Sequence, residues 1–164
     1  MAIQVGDKIP SVSLQVMGAE GPKKVSTDEL FAGKKVVMMA VPGAFTPGCS
    51  MTHLPGFVVK VDDIKAKGVD EVICTSVNDV FVMHAWGKDQ NAEHITMLAD
   101  GNGALATALG LSMDASGFEM GPVRSQRYAM IVNDGVVELL NVDSKGIDKS
   151  SAETILAALQ THAN

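Results

Sequence analysis

The sequence contains few cysteines: only Cys49 and Cys74 occur among its 164 residues, 25 positions apart. Two cysteines at this spacing form neither a Cys-x-x-Cys motif nor the framework of a disulfide-rich scaffold. Proteins of reducing compartments use cysteine in this way and rarely contain structural disulfides. We therefore predict a cytoplasmic protein without a structural disulfide.

Basic residues are also scarce, and they are dispersed. The chain has 13 Lys and Arg residues against 19 Asp and Glu residues, which gives a net charge of −6. No basic run is longer than two residues, as in Lys23-Lys24 and Lys34-Lys35. Because a nucleic-acid-binding surface needs clustered positive charge, nucleic acid is not an expected partner.

Long apolar segments are absent as well. No stretch approaches the ~18 apolar residues that span a bilayer. The first seven residues have neither the basic leader nor the apolar region of a signal peptide. No acidic or cysteine partner at metal-ligand spacing accompanies three of the four histidines, which are His84, His94 and His162. We therefore expect no membrane partner, no metal and no bound cofactor.

The chain does contain enough apolar residues for one ordinary core. Hydrophobic residues make up 46% of the sequence, which suffices for a domain of this length. No internal repeat, linker or low-complexity segment marks a boundary. The sequence therefore predicts a single domain over residues 1–164.

The first half of the chain alternates strand and helix patterns. Residues Lys35–Val41 are apolar on both alternating faces, as in a central strand that is covered on both sides. A helix is predicted from about Pro47 to Lys67, with Gly68 as its stop and a kink or break at Pro55-Gly56. This order begins a layered α/β sheet.

The same alternation continues with two more predicted strands, Glu71–Val77 and Ile95–Ala99. Asn78-Asp79 is the predicted N-cap sequence of a helix through about Lys88. A turn and a short helix, Ala104–Leu109, follow the second of these strands.

The last third of the chain predicts a hairpin and a terminal helix. Asp134-Gly135 supplies the positive φ angles of a tight turn between the runs Tyr128–Val132 and Val136–Leu140. Ser150 and Glu153 have the spacing of a capping box before an apolar helix face. Mixed strand pairing with a terminal helix indicates a thioredoxin-like α/β fold, with a central mixed sheet and helices on both faces.

Cys49 lies between the predicted central strand and the helix that follows it. A thiol in the first turn of a helix is close to unpaired backbone N–H groups and to the positive end of the helix dipole. Both favour the thiolate, which is the nucleophilic form of cysteine. Cys49 is therefore a candidate nucleophile.

The residues around Cys49 resemble a known signature. The motif Pro42-x-x-x-Thr46-x-x-Cys49 resembles the peroxidatic motif of peroxiredoxins, and the segment from Pro42 to Pro55 is similar to the type II branch. The similarity continues over Cys74–Val82, Trp86-Gly87 and Arg127–Met130, so that it covers nearly the whole chain. It implies a thiol-dependent peroxidase that reduces hydrogen peroxide and organic hydroperoxides through a sulfenic acid at Cys49.

The residue types of this motif suit such chemistry. A free thiol with a pKa near 8.5 is only a few per cent ionised at pH 7, and a helix N-terminus contributes about 0.5 to 2 kcal/mol of the shift that is needed. We expect Arg127 to supply the missing cation and to stabilise the departing oxygen. Thr46 is expected to donate its hydroxyl hydrogen to the peroxide or the thiolate, and Pro42 to shape and shield the loop. His53, four residues after Cys49, has either a proton-handling role or a packing or hydrogen-bonding role.

The sequence predicts the reduction of Cys49 less directly than its oxidation. Some relatives carry a resolving cysteine near the last helix, but this chain has Ser150-Ser151 there. We expect an external thiol as reductant, either glutathione with glutaredoxin or thioredoxin. The alternative is a Cys49–Cys74 disulfide, although Cys74 inside a strand favours a structural role.

Two other functions are compatible with parts of the pattern. The sheet order also permits a thiol–disulfide oxidoreductase, although the missing Cys-x-x-Cys motif argues against it. A redox sensor is the other alternative, in which oxidation of Cys49 changes a surface or an oligomer. The resemblance further implies a homodimer, with Phe45 at its interface or in the pocket.

Overall fold

A seven-stranded mixed sheet forms the centre of the computed structural model, which describes residues 2–162. Its strand order is β2-β1-β5-β4-β3-β8-β9, and β6 pairs with β7 in a small separate sheet. The strands are β1 (Ser13–Gly18), β2 (Gly21–Ser26), β3 (Lys35–Ala40), β4 (Glu71–Ser76), β5 (Thr96–Ala99), β6 (Ser112–Met113), β7 (Arg124–Ser125), β8 (Arg127–Asn133) and β9 (Val136–Asp143). Strands β3, β4 and β5 are parallel to their neighbours in this group, and β8 runs antiparallel to β3.

Helices cover both faces of this sheet. Side chains of α2, α3 and α5 pack into one buried apolar cluster, and side chains of α1 and α4 pack into a second cluster on the other face. The helices are α1 (Thr27–Phe31), α2 (Leu54–Lys65), α3 (Val80–Asp89), α4 (Ala104–Ala108) and α5 (Ala152–His162). The predicted mixed sheet with helices on both faces is confirmed. No helix in the described part of the chain is long and apolar enough to cross a membrane.

Strand β3 shows why the central run is apolar at every position. Val37 and Met39 point into the cluster that contains α2, whereas Val36 and Met38 point into the opposite cluster. All four are fully buried because the side chains of a strand alternate between the two covered faces. The predicted central strand is therefore confirmed.

The β8–β9 hairpin turns as the sequence predicts. Asp134 has φ 49° and Gly135 has φ 80°, a pair of positive angles that matches the right-handed twist of the flanking strands. Asn133 and Val136 close the turn as register partners. The register brings the other end of the hairpin, where Arg127 pairs with Asp143, to the carboxyl end of β3.

The helix after β3 differs from its prediction in the place of its irregularity. It begins at Pro47, widens into a π-helical turn over Cys49–His53 and continues as α2. In this turn the N–H of Leu54 bonds to the carbonyl of Cys49, five residues back. Pro55 has no N–H to offer to the helix, and the irregular turn lies directly before it rather than at Pro55-Gly56.

The cap of α5 is one residue later than predicted. Ser151 Oγ accepts the N–H of Thr154 at 3.2 Å, which makes Ser151 the capping side chain. Ser150 is instead fully buried, and its hydroxyl donates to Asp143 at 2.7 Å. The capping box predicted for Ser150 and Glu153 is therefore wrong, because a tertiary partner takes the Ser150 hydroxyl.

An N-terminal hairpin was not predicted from the sequence. Strands β1 and β2 pair across Gly18 and Gly21, and β2 forms one edge of the sheet. Three consecutive residues of β2 are exposed, from Pro22 to Lys24. A proline and two lysines on an edge strand protect it from pairing with another chain, but they also remove the alternation that identifies a strand.

Candidate active site

Cys49 lies at the carboxyl end of β3, in the first turns of the helix that follows. Its side chain is fully buried in the same apolar cluster as the α2 side chains. The loop that leads to it starts at Val41, whose N–H bonds to the Thr75 carbonyl on β4 at 3.1 Å. The structure thus places the sulfur at the end of the central strand, under a loop that is tied to the next strand.

Arg127 provides the polar contact of the Cys49 sulfur. Its Nη2 donates to Cys49 Sγ at 3.2 Å. Arg127 begins β8, which pairs with β3. The strand register places Arg127 beside the end of β3, so its guanidinium lies close to the start of the helix that contains Cys49. Lys34–Glu71 is the one ion pair among the side chains of residues 2–160, so no carboxylate there forms an ion pair with Arg127. The positive charge next to the sulfur is therefore available to a thiolate.

His53 holds the other arm of the Arg127 guanidinium. Arg127 Nη1 donates to His53 Nδ1 at 2.8 Å, and His53 Nε2 lies 2.9 Å from the Ser150 carbonyl oxygen. A carbonyl only accepts and a guanidinium only donates, so these partners assign the proton to Nε2 and leave Nδ1 bare. The side chain is 1% exposed.

The surroundings of His53 keep it neutral. Burial lowers the pKa of His53 to about 4, and the charge of Arg127 acts in the same direction. The hydrogen bond to Ser150 and the charge of Asp143 oppose this shift without cancelling it. Of the roles considered for His53, the structure therefore supports packing and hydrogen bonding: His53 is a neutral hydrogen-bonding link between Arg127 and the segment before α5.

Asp143 organises that segment, and sequence reasoning assigned it no role. Its carboxylate accepts the N–H groups of Asp148, Lys149 and Ser150 at 3.0, 3.1 and 2.8 Å, together with the Ser150 hydroxyl. Burial acts to raise the pKa of Asp143, but these four donors outweigh it and hold the pKa at about 2. The predicted hairpin stops short of Asp143, and a register shift between Ile131 and Val132, which the sequence did not predict, sets Asp143 opposite Arg127.

Thr46 is oriented differently from the prediction. Its hydroxyl donates to the Gly43 carbonyl at 2.6 Å, within the loop. The expected donation of this hydrogen to a peroxide or a thiolate is therefore wrong for this conformation, because the loop carbonyl already takes it. The Thr46 oxygen keeps lone pairs that can accept a hydrogen bond from a substrate.

Pro42 lines a recess next to Arg127. The recess has a volume of about 390 Å³, and Met113, Gln126 and Asp143 also contribute to its walls. Pro42 is half-buried, in keeping with its predicted role in shaping and shielding the loop. Because Cys49 has no exposed surface, a reactant reaches the sulfur only after the surrounding side chains or the loop move.

A polar contact fixes the loop before Cys49 to the segment after β4, and Arg124 joins that segment to the chain before β7. Asn78 Oδ1 accepts the N–H of Ala44 at 3.0 Å, so Asn78 supports the loop while Asp79 caps α3. Arg124 Nη1 donates to the Val77 carbonyl at 3.0 Å and its Nε donates to the Met120 carbonyl at 2.8 Å. The sequence suggested Asn78 only as a capping residue and did not single out Arg124, because the partners of these side chains are distant backbone atoms.

Trp86 anchors the helix start from the opposite side. It is fully buried, as expected for a core residue, and its Nε1 donates to Ser50 Oγ at 2.9 Å. Phe45 lies over it with a ring-centroid distance of 6.4 Å. Phe45 has φ 65° and is 51% exposed, so the loop holds an apolar side chain outward at the cost of backbone strain.

Cys74 lies inside the sheet with no polar neighbour that activates it. It sits on β4 between Met39 of β3 and Met97 of β5, and it is fully buried. Burial raises the pKa of the Cys74 thiol well above its usual range, and the charge of Cys49 adds to this effect. Both cysteines are free thiols in the structure. This geometry favours the structural role of Cys74.

The arrangement is suited to nucleophilic chemistry at sulfur. A cation and a helix start stabilise a thiolate, and the same guanidinium can bind negative charge that develops on a departing atom. Within the described residues no group of three or more His, Cys, Asp or Glu side chains is placed to hold a metal ion.

Comparisons with known proteins agree with this geometry. A family model described as Redoxin matches residues 4–156. Peroxiredoxin-2E-2, a chloroplastic protein of Oryza sativa subsp. japonica, is 50% identical over 163 residues, covering 96% of this chain and 72% of the relative. Peroxiredoxin-2B of Arabidopsis thaliana is 46% identical over 160 residues, covering 96% of this chain and 98% of the relative.

A solved structure resembles the chain equally well. Reduced Prx3 from Vibrio vulnificus, in complex with hydrogen peroxide, has a TM-score of 0.92 and 56% sequence identity. The similarity covers 96% of this chain and 99% of that one.

Proposed function

From the premise that this chain belongs to the redoxin family and to its type II peroxiredoxins, and is a thiol-dependent peroxidase, we propose that Cys49 is the residue that peroxide oxidises. The observation that carries the proposal is the hydrogen bond from Arg127 Nη2 to Cys49 Sγ at 3.2 Å, at the start of a helix. Cys74 has no such donor. The two cysteines are therefore assigned different roles.

The oxidation step follows from this contact. The Cys49 thiolate attacks one oxygen of the peroxide, an S–O bond forms, and the O–O bond breaks. The second oxygen leaves as hydroxide or alkoxide and takes a proton from water, while Cys49 becomes a sulfenic acid. The peroxide is reduced and the sulfur is oxidised by two electrons.

Arg127 and Thr46 act on different parts of this step. The guanidinium stabilises the thiolate before attack and the departing oxygen during it, because it is planar and always charged. The Thr46 oxygen, whose own hydrogen is bound to Gly43, accepts the hydrogen of the peroxide and so orients the O–O bond. Pro42, which lines the recess beside Arg127, shapes the loop that covers the sulfur.

Hydrogen peroxide and small organic hydroperoxides are the proposed substrates. The buried sulfur and the half-buried loop around it support small oxidants. The Vibrio vulnificus Prx3 structure, which contains hydrogen peroxide, supports the first of these.

An external thiol is the proposed reductant, either glutathione with glutaredoxin or thioredoxin. The first thiol displaces water from the sulfenic acid and forms a mixed disulfide with Cys49. A second thiol then releases the Cys49 thiol and leaves with the first as a disulfide. The raised pKa of Cys74 supports this route over a Cys49–Cys74 disulfide, since a protonated thiol is a poor attacking group.

A stopped-flow peroxide titration with each candidate reductant tests the proposal. Wild-type protein and Cys74→Ser are expected to turn over, whereas Cys49→Ser is expected to lose activity by at least about 1,000-fold. Near-normal turnover of Cys49→Ser would show that the oxidised residue has been misassigned. Mass spectrometry after one equivalent of peroxide checks the route: an intrachain loss of two hydrogens would favour the internal disulfide instead.

A further inference from the structure

We propose that Asp143 is a positioning residue for the reaction at Cys49, acting through the segment 143–150, His53 and Arg127. The proposal rests on the proposed function of Cys49 and Arg127. It is carried by an unbroken series of hydrogen bonds that begins at the Asp143 carboxylate and ends at the sulfur. Nothing in the sequence motif around Cys49 includes this residue.

The strand register makes the contacts of Asp143 unexpected. Asp143 on β9 is the direct register partner of Arg127 on β8. Opposite charges at such positions commonly pair across the strands. Here the two side chains form no ion pair: the carboxylate turns to the loop amides, and the guanidinium turns to His53 and Cys49. The carboxylate therefore leaves the cation free for the sulfur.

The carboxylate also fixes the position of the Ser150 carbonyl. Asp143 binds Ser150 twice, at its N–H and at its hydroxyl, and Ser150 is fully buried. These two bonds leave the peptide carbonyl of Ser150 facing His53 Nε2 at 2.9 Å. The loop conformation that Asp143 maintains is thus the source of the acceptor that His53 needs.

The Ser150 carbonyl in turn selects the tautomer of His53. With the proton on Nε2, the Nδ1 lone pair faces Arg127 and holds its Nη1 at 2.8 Å. If the carbonyl moved away, His53 would lose the bond that favours this tautomer, and the Nδ1–H form would turn a hydrogen toward a donor. Arg127 would then lose its second anchor, and its contact with Cys49 would be less well defined.

Charge and position predict opposite effects, which makes the proposal testable. Removing a negative charge near Cys49 favours the thiolate by simple electrostatics, so a purely electrostatic Asp143 would make Asp143→Asn more reactive. A positioning Asp143 makes the same variant less reactive, because one of its two acceptor oxygens becomes an NH₂ donor and can no longer accept from the loop. The sign of the change separates the two roles.

The experiment measures the rate of Cys49 oxidation by hydrogen peroxide in stopped flow for Asp143→Asn. We expect a decrease of about tenfold, together with a shift of the pH profile for Cys49 alkylation toward higher pH. Long-range ¹H–¹⁵N NMR of His53 is expected to show loss of the single Nε2–H tautomer. An unchanged or faster rate, or an unchanged His53 tautomer, would overturn the proposal.

Asp134→Asn is the matched control. Asp134 lies in the same hairpin at its opposite end, and it also accepts a loop N–H, that of Gly33 at 2.7 Å. It makes no contact with His53 or Arg127, so this variant is expected to keep wild-type kinetics. An equal decrease in both variants would mean that the hairpin, and not Asp143, causes the effect.

A second variant covers the case in which Asp143→Asn does not fold. Ser150→Ala removes one of the two bonds between Ser150 and Asp143 and keeps the backbone N–H bond. We expect a decrease of about threefold in the oxidation rate, with partial loss of the tautomer signal. Wild-type values for both readouts in a folded Ser150→Ala protein would overturn the proposal.

A double-mutant cycle tests whether Asp143 acts through His53. In a His53→Leu background, Asp143→Asn or Ser150→Ala is expected to have little further effect, because the link is already broken. In a His53→Gln background, where an amide can both accept from Arg127 and donate to Ser150, the effect is expected to persist. Full additivity in the His53→Leu background would contradict the proposed route.

The failure of the proposed function gives a different result. If Cys49 is not the oxidised residue, wild-type protein will not form a trapped sulfenic acid at Cys49, whatever the state of Asp143. If only the present proposal fails, wild-type protein forms that adduct and Asp143→Asn forms it at an undiminished rate.

Discussion

Cys49 and Cys74 are both fully buried, and both belong to the apolar cluster on the same face of the sheet. They differ in their polar neighbours. Cys49 lies in the first turns of a helix with a guanidinium 3.2 Å from its sulfur, whereas Cys74 lies mid-strand between two methionines. The difference shows that burial alone does not determine thiol chemistry: the donors that accompany burial do.

The largest expected effect comes from removing the donor that distinguishes Cys49. Arg127→Ala is expected to slow oxidation by peroxide by about 10² to 10³-fold, as for loss of a donor in other preorganised sites. Arg127→Lys keeps the charge but not the planar fork of donors, so its oxidation rate is expected to lie between those of wild type and Arg127→Ala. Stopped-flow oxidation measures these rates.

The pH dependence of Cys49 alkylation shows whether Arg127 acts on the sulfur. In Arg127→Ala, a smaller thiolate fraction is expected to move this dependence to higher pH. A pH profile identical to wild type would mean that the contact at 3.2 Å does not stabilise the thiolate.

A second prediction concerns the neutral His53 that supports this donor. The pKa of His53 is about 4 in the folded protein, below the value of 6.5 for an exposed histidine. The unfolded chain therefore binds the His53 proton more readily than the folded protein. The contribution of neutral His53 to the free energy of unfolding is complete above pH 6.5 and is lost as the pH falls toward 4. The full loss amounts to about 3 kcal/mol of unfolding free energy.

Urea unfolding at pH 7 and pH 4.5 measures this loss. In His53→Gln the contribution is expected to disappear, because glutamine does not titrate. His94→Gln is the matched control, since His94 is exposed. Asp143, with a pKa of about 2, remains ionised over this range and does not add to the difference. An equal pH dependence in wild type and His53→Gln would show that His53 is not the source.

Thr46→Val distinguishes activation of the Cys49 sulfur from orientation of the peroxide substrate. The variant keeps the shape of the side chain but removes the oxygen that is proposed to accept the peroxide hydrogen. We expect oxidation by peroxide to slow by about tenfold, in the range found for loss of one positioning contact. Alkylation by iodoacetamide, which needs no such acceptor, is expected to be unaffected. An equal decrease in the oxidation and alkylation rates would mean that Thr46 activates the Cys49 thiolate instead of orienting the peroxide.

The smallest effect on activity is expected at Cys74. Cys74→Ala removes a buried thiol and is expected to cost about 1 kcal/mol of unfolding free energy, measured by urea denaturation. Peroxidase activity with an external thiol is expected to remain at the wild-type level. A large decrease in turnover, with the first oxidation step unchanged, would identify Cys74 as a resolving residue and remove the distinction between the two cysteines.

The elements that the sequence predicted best carry local signals. The central strand, the helix after Asp79 and the β8–β9 hairpin each depend on neighbouring residues: an apolar run, a capping side chain and an Asp-Gly turn. The elements that were missed or displaced depend on distant partners. Ser150 has the spacing of a cap, but its hydroxyl goes to Asp143, seven residues earlier.

The candidate site divides in the same way. A motif of eight residues predicted Cys49, Thr46 and Pro42. Arg127 was predicted from the similarity of Arg127–Met130 to type II peroxiredoxins and from the chemistry of its guanidinium. His53 was considered, but its partner Ser150 lies 97 residues away, and no local pattern joins them. The direction of the Thr46 hydroxyl also depends on the folded loop, since its acceptor is a backbone carbonyl.

The sequence by itself determined the sheet with its two covered faces, the family, and the cysteine that begins a helix, because periodicity, capping and motif spacing are local properties of the chain. Only the tertiary structure decided which groups surround that cysteine. The register of β8 beside β3 brings Arg127 to the sulfur, and the register of β9 beside β8 brings Asp143 near enough to order the segment that holds His53. Such contacts depend on the pairing of strands that are far apart in the sequence, and the type of a single residue does not specify that pairing.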